Sequence, residues 1–408
     1  MQCNPFLHEK NAPSLAVFFQ KKRPSFSKSY LRSIEEVVLG DLSHFGPYSA
    51  EKISSLKCPL QKAQKLYDCV LDVRFEQEKL TVSVATNNQT GVQRFPSLFL
   101  RGRLAEDRVA IHKYLYQIGK KILAIDSIIN ARLLFTNRVR KNGNWIAEIW
   151  CSDYDGKNAK PLTKQASYAT HPTFFPQENA FLFVSYAKGR PKIMKKSFDK
   201  PVIEEVISLR GSQSLPALSQ DGSSLLFVSD AGGRPDLFFY SFKEGKPRQL
   251  FSYPKATQAS STFHPNNRRL AFVSDKEGAP SIYLLDIPAV KRFPTPTVSR
   301  ITKKNRHNTA PSWSSDGKKL AYSAKTGKTW QIWIYDFLTG EERQLTFGDK
   351  NMENPKWAKD NIHIVCNSDT EESAEIYMIN MYKKTIEQIS SGVGCKKFPS
   401  LEPKKVTL

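Results

Sequence analysis

A short unit recurs along this chain and restricts its fold more than any other feature. It is a proline or serine, any residue, then an apolar residue, followed by a polar turn and an apolar run. The copies are Pro172-Thr173-Phe174, Pro216-Ala217-Leu218, Ser261-Thr262-Phe263, Pro311-Ser312-Trp313 and Pro355-Lys356-Trp357, with a final Pro399-Ser400-Leu401. Between the apolar residues the spacings are 44, 45, 50, 44 and 44. Turns follow at Gln177-Glu178-Asn179, Gln220-Asp221-Gly222, Pro265-Asn266-Asn267, Ser315-Asp316-Gly317 and Lys359-Asp360-Asn361. Asp-Gly and Asn-rich pairs supply the positive φ that hairpin turns need.

Each unit continues alike. An apolar strand such as Leu225–Val228 or Leu270–Val273 comes next. A polar turn then leads to a third strand (Asp236–Tyr240, Ser281–Asp286, Gln331–Asp336, Glu375–Asn380), and a last turn to a short outer strand such as Arg343–Thr346. Four strands in about 44 residues is the period of a propeller blade. One such sheet cannot bury both faces alone, whereas a ring of them can.

Before these five units lies an incomplete one. Arg132–Thr136 matches a second strand, Trp145–Asp153 a third, and Pro161-Leu162-Thr163 an outer edge. Its inner strand is missing locally, and Phe398-Pro399-Ser400-Leu401 at the far end is an inner strand with nothing after it. The expectation is therefore an all-β six-bladed β-propeller over residues 126–408, its first blade closed by the C-terminal strand, which removes an open sheet edge.

Residues 1–125 read as a mixed α/β domain of order β-α-β-β-α. Leu15–Phe19 is strand-like, and Leu31, Ile34, Val38 and Leu42 share a helical face that Gly46-Pro47 would end. Asp68–Phe75 and Leu80–Ala85 alternate as a hairpin around Gln77-Glu78. Glu106–Ile125 is a helix with Val109, His112, Leu115 and Ile122 on one side.

Composition limits the partners. Lys and Arg number 61 against 39 Asp and Glu, a net charge of +22, which favours a polyanionic partner. The excess is spread thinly: 19 against 11 in residues 1–125 and 42 against 28 in the rest. No basic run of five occurs, so a solvated basic surface is expected and no nucleic acid partner. Apolar runs such as Leu15–Phe19 are too short to span a bilayer. No charged-apolar-small leader opens the sequence. The six cysteines form no C-x-x-C pair, which argues against zinc or thioredoxin chemistry. Cys58 and Cys69 could pair in an oxidising compartment.

Catalytic signals are weak. The G-x-S-x-G elbow is absent, and no room for a catalytic domain follows the closing strand. Asp153-x-Asp155-Gly156-x-Asn158 lacks the full ligand series of a calcium loop, and a hairpin turn is expected there. His171, His264 and His307 sit at offsets −3, +1 and −6 from the apolar residue of their units, so they are not equivalent and no metal set is expected. His112 is expected to pack in a core. Neither a catalytic residue nor a cofactor is expected.

Loops entering the inner strands gather at one mouth of a propeller channel. Here they supply His171, Ser212, Gln213, Gln258, Ser260, His307, Asn308, Thr309, Asn351 and Glu353 as candidate partner contacts. Such polar, short loops suit protein binding around a few anchors.

The chain resembles the TolB family of the bacterial Tol-Pal system over nearly its whole length. The resemblance is carried by Ser152-Asp153-Tyr154-Asp155-Gly156, the repeated Pro-x-aromatic-Ser-x-Asp-Gly units, the closing Phe398-Pro399-Ser400-Leu401, Leu15–Phe19, Gly40–Gly46 and His112. It implies a monomeric, non-enzymatic periplasmic scaffold. The propeller would bind the peptidoglycan-associated lipoprotein Pal, the N-terminal segment would engage TolA, and outer-membrane proteins would be further partners. Outer-membrane integrity and cell division would depend on it. The alternatives are a propeller enzyme related to prolyl oligopeptidase-type peptidases and a basic propeller that binds polyanions. Leu218 and Leu401 in place of aromatics, and Gln177-Glu178-Asn179 and Asn266-Asn267 in place of Asp-Gly, depart from the family pattern.

Overall fold

The computed structural model describes residues 13–54, 60–63, 65–88, 91–287, 298–370 and 373–403. The chain separates into two compact units, with the break between Ala131 and Arg132.

The first unit is a sheet with helices. Its elements are β1 (Ser14–Pro24), α1 (Lys28–Ser43), β2 (Ser49–Ile53), α2 (Leu60–Ala63), β3 (Cys69–Gln77), β4 (Lys79–Thr86), β5 (Gln93–Arg94), β6 (Leu98–Phe99) and α3 (Leu104–Leu123). The sheet order is β2-β1-β3-β4-β5, with β6 also on β4; β1 runs parallel to β2 and β3. Leu15, Ala16, Val17, Val70 and Leu71 are buried on both faces of the parallel pair, hence their unbroken apolar run. The edge strand β2 has no such signal; its exposed SAEKI hides it from pattern reading.

Ser27 caps α1, its hydroxyl accepting from Tyr30 N at 3.2 Å. In α3 the buried stripe runs through Asp107, Ile111, His112, Leu115, Tyr116, Ile118 and Gly119. Val109, expected on that face, is 38% exposed. The stripe is set instead by Asp107, whose carboxylate accepts from Arg101 N (2.9 Å), Arg103 N (3.0 Å) and Tyr30 Oη (2.5 Å) and so anchors the first turn. His112 is packed in the core as expected, bonded to Asp41. Cys69 is a buried free thiol; Cys58 lies outside the described residues.

The second unit is the six-bladed propeller. Five four-stranded sheets follow one another in strict chain order, with inner strands Ala169–Phe175, Gln213–Leu218, Gln258–Phe263, Asn308–Trp313 and Asn351–Trp357. The sixth sheet joins Cys395–Pro403 to Ala131–Lys141, Asn144–Asp153 and Lys160–Pro161. It is counted here as blade 1, and the others as blades 2 to 6. The C-terminal strand thus supplies the missing inner strand.

The core lies between blades. Leu134, Ile149, Phe174, Phe181 and Phe183 join blades 1 and 2. Phe175, Leu182, Leu225 and Phe227 join blades 2 and 3. Trp313 packs with Ala271, Ile282, Leu320 and Tyr322 at the next boundary but one, stacked on Phe337 at 4.6 Å and edge-on to His264 at 4.6 Å. Gly317 cannot be replaced there: its φ is +71° and a Cβ would come 2.5 Å from His264 Nε2. At Asp153–Asn158 the chain makes the expected turn, with Gly156 N donating to Asp153 O (3.0 Å) and Asn158 Nδ2 to Asp153 Oδ2 (2.7 Å).

Candidate functional site

Five of the six inner strands carry the same irregularity. Their register against the second strand slips between Thr170 and Thr173, Ser214 and Ala217, Gln258 and Ser261, Thr309 and Ser312, and Glu353 and Lys356. Each slip is a β-bulge, which frees residues from the ladder and re-aims their side chains. The residue three before the apolar anchor takes a positive φ in His171 (51°), Leu215 (52°), Ala310 (51°), Asn354 (55°) and Phe398 (56°). Proline follows all five; at the sixth equivalent, Ser260, the next residue is serine and φ is not positive.

These six residues, with Pro172, Pro216, Pro311 and Pro399, line a cavity of about 70 Å³ on the propeller axis. That volume is far below the roughly 300–1,000 Å³ of pockets that hold whole cofactors. Thr173, Ser261 and Lys356 complete its polar lining, which contains no carboxylate. The His171 ring stacks on Phe398 at 3.8 Å, and its Nδ1 lies 3.1 Å from Thr170 Oγ1. Burial, and then repulsion from Lys356, push the His171 imidazole down to about 4, so it is neutral near pH 7. The Lys356 side chain is exposed along the channel, and desolvation by the channel walls pushes its pKa down.

The expected contact residues divide into three groups. His171 and Ser260 line the cavity. His307 is exposed beside it in sequence, Ser212, Thr309, Asn351 and Glu353 are half-buried, and Asn351 Oδ1 accepts from Trp330 N at 2.9 Å. Gln213, Gln258 and Asn308 are buried to 1% exposure or less and offer a partner no surface. They occupy one equivalent position, five before the anchor, and act as latches. Gln213 Nε2 donates to Leu209 O (2.8 Å) and Gly211 O (3.1 Å); Asn308 Nδ2 donates to Asn305 O (2.8 Å). Gln258, with its amide nitrogen turned toward acceptors, donates to Pro235 O (3.1 Å) and Asp236 Oδ1 (2.7 Å). Polarity in a loop signalled contact, but an amide there is also what an incoming loop needs to satisfy its carbonyls.

Lys356, Asn354, Phe398, Leu215 and Ala310 are among the lining residues that the reading of loops missed. The signal for Leu215, Ala310, Asn354 and Phe398 was the X-Pro pair found in five of the six units, which places X at the bulge; Lys356, after its proline, had none. Beside the cavity, burial raises the Glu353 carboxyl, the Asp369 charge adds to this, and Lys397 and Lys325 oppose it; Lys397 pairs with Asp369. Among the described residues no group of three His, Cys, Asp or Glu is placed to hold a metal ion, and no helix is long and apolar enough to cross a membrane.

Comparison with known proteins follows the same architecture. The model of the TolB β-propeller domain matches residues 120–405. A protein TolB homolog of Protochlamydia amoebophila is 34% identical over 366 residues, covering 82% of this chain and 77% of its own length. Another, from Chlamydia pneumoniae, is 33% identical, covering 93% and 87%. The crystal structure of TolB from Acinetobacter baumannii superimposes with a TM-score of 0.77 at 19% identity, covering 97% of this chain and 98% of that one. The chain belongs to the TolB β-propeller family.

Proposed function

We propose that this chain is a periplasmic, non-enzymatic scaffold that binds a Pal-like lipoprotein at the mouth of the propeller channel. One observation carries the reading: the fold likeness to a TolB extends over 97% of the chain, so the α/β unit and the ring are both retained. A propeller by itself serves many functions. The α/β unit in front of it is the arrangement expected of a link between a lipoprotein and a TolA-like protein. In this role the chain supports outer-membrane integrity and division as a monomer, with outer-membrane proteins as further partners. The site chemistry fits adhesion: a small channel with backbone bulges and hydrogen-bonding side chains at its lip can seat an inserted side chain. The test is a pull-down of the cognate Pal-like lipoprotein, made without its lipid anchor, by the full chain. Retention that survives high salt supports the reading. Loss of binding under conditions where a related TolB captures its own lipoprotein overturns it, and steeply salt-dependent retention of DNA instead would mark a polyanion binder.

A further inference from the structure

We propose that the channel cavity is a receptor for a single carboxylate carried by a partner polypeptide, with Lys356 as its counter-ion. The proposal rests on the reading of the channel mouth as a partner-binding face and names the chemistry recognised there. Three observations converge. The lining contains a lysine ammonium and an imidazole but no Asp or Glu. Among the described residues no carboxylate pairs with Lys356, whereas Lys396 and Lys397, on the neighbouring strand, each have one, Glu375 and Asp369. Ser261 lines the same cavity and keeps a buried hydroxyl with no hydrogen-bond partner.

A lysine that faces a channel with no counter-ion among the described residues is available to an arriving anion. An arriving carboxylate would gain charge-assisted hydrogen bonds from the Lys356 ammonium and from the unpartnered Ser261 hydroxyl. The His171 ring beside them is neutral near pH 7 and can donate one further N–H. The cavity volume of about 70 Å³ admits a carboxylate with a short stem. The ring of prolines and the Phe398 face give the stem an apolar sleeve.

The test uses the full chain labelled at histidine, with the His171 imidazole resonances as the readout. Probes are sodium acetate, sodium chloride at equal ionic strength, and methylammonium chloride. Two peptides separate the sources of the carboxylate: a capped glycine peptide with one central glutamate, and an uncapped glycine peptide with a free C-terminus. The expected result is saturable movement of the His171 signals with acetate and with one or both peptides, and none with methylammonium. Lys356→Met should weaken acetate binding roughly tenfold or more, with Lys356→Arg restoring most of it. Ser261→Ala should weaken it severalfold, and serves where the methionine variant fails to fold. A response to acetate no larger than that to chloride overturns the proposal. Acetate binding that is equal in wild type, Lys356→Met and Ser261→Ala overturns it too. Pal-like lipoprotein that binds both Lys356 variants as tightly as wild type, unaffected by acetate, overturns this inference and leaves the scaffold reading intact. Acetate and peptide binding without lipoprotein binding supports the inference and removes that lipoprotein as the partner.

Discussion

Asn361 reaches across a blade boundary to Asp316: its Oδ1 accepts the Asp316 backbone N–H at 3.0 Å. Asn267 does the same for Gln220 at 3.1 Å. Both asparagines sit at φ +58°, where blades 3 and 5 have Gly222 and Gly317. The asparagines that replace glycine in these two blades are therefore not decay. In alternate blades, asparagine tolerates the left-handed turn and adds a bond that glycine cannot make.

Replacing Asn361 separates the two roles. Asn361→Gly keeps the turn and loses only the bond, for a cost of about 0.5–1.5 kcal/mol. Asn361→Ala loses the bond and also strains the left-handed residue, for a cost of about 2–3 kcal/mol in total. Urea unfolding should rank wild type above Asn361→Gly above Asn361→Ala. Asn361→Gly as stable as wild type would show that the cross-blade bond contributes nothing, and Asn361→Ala as stable as Asn361→Gly that the left-handed turn costs nothing.

The ring and its closure were legible because they depend on period. Spacings of about 44 residues and an orphan inner strand at Phe398–Leu401 leave one way to complete blade 1. The site was less legible because a bulge breaks the period that side-chain direction follows. Shifting register by one residue turns a strand's side chains to the other face. Counting alternation therefore could not tell that Gln213 and Asn308 point into the loop core while Leu215 and Ala310, two residues on, line the channel. Lys356 was visible only as a charge beside Trp357. Its meaning depends on its neighbours across the ring, His171 and Phe398, more than 40 residues away in one direction or the other.

Ring closure predicts a sharp dependence on the last strand. Truncation after Gly394 removes Cys395–Pro403 and leaves Ala131–Lys141 as an open edge. It also exposes the pocket that Leu401 fills. The truncated chain should aggregate or melt well below the full chain in scanning calorimetry and size-exclusion runs. Truncation after Pro403, which keeps the strand, should change stability by less than about 0.5 kcal/mol. Equal stability of the two truncations would show that the closing strand does not hold the ring.

In the N-terminal unit, Asp41 and His112 form a buried pair, with Nδ1 2.7 and 2.8 Å from the two carboxylate oxygens. Removing one partner of such a pair takes a hydrogen bond from the other in the core. Asp41→Ala should cost about 3–5 kcal/mol, and Asp41→Asn, which keeps an acceptor, clearly less. Intrinsic fluorescence during chemical unfolding, with the propeller transition as internal reference, would measure it. A cost below about 1 kcal/mol would make the pair incidental.

His171 links stability to pH, with a sign that can be worked out in advance. Burial first, and Lys356 second, hold it at about 4 in the folded chain, below the 6.5 of a free histidine. Between those values the unfolded chain carries a proton that the folded chain does not, so stability rises with pH through this window and is lost as pH falls from 6.5 toward 4. His171→Gln removes the group, so its stability should fall less steeply over the same range than that of wild type. Lys356→Met removes only the smaller cause. The His171 midpoint, followed through its imidazole resonances, should then rise above 4 and still remain below 6.5, because burial persists. A midpoint unchanged in Lys356→Met would mean that the two side chains do not share the channel electrostatically, and that the cavity's positive character comes from elsewhere in the ring.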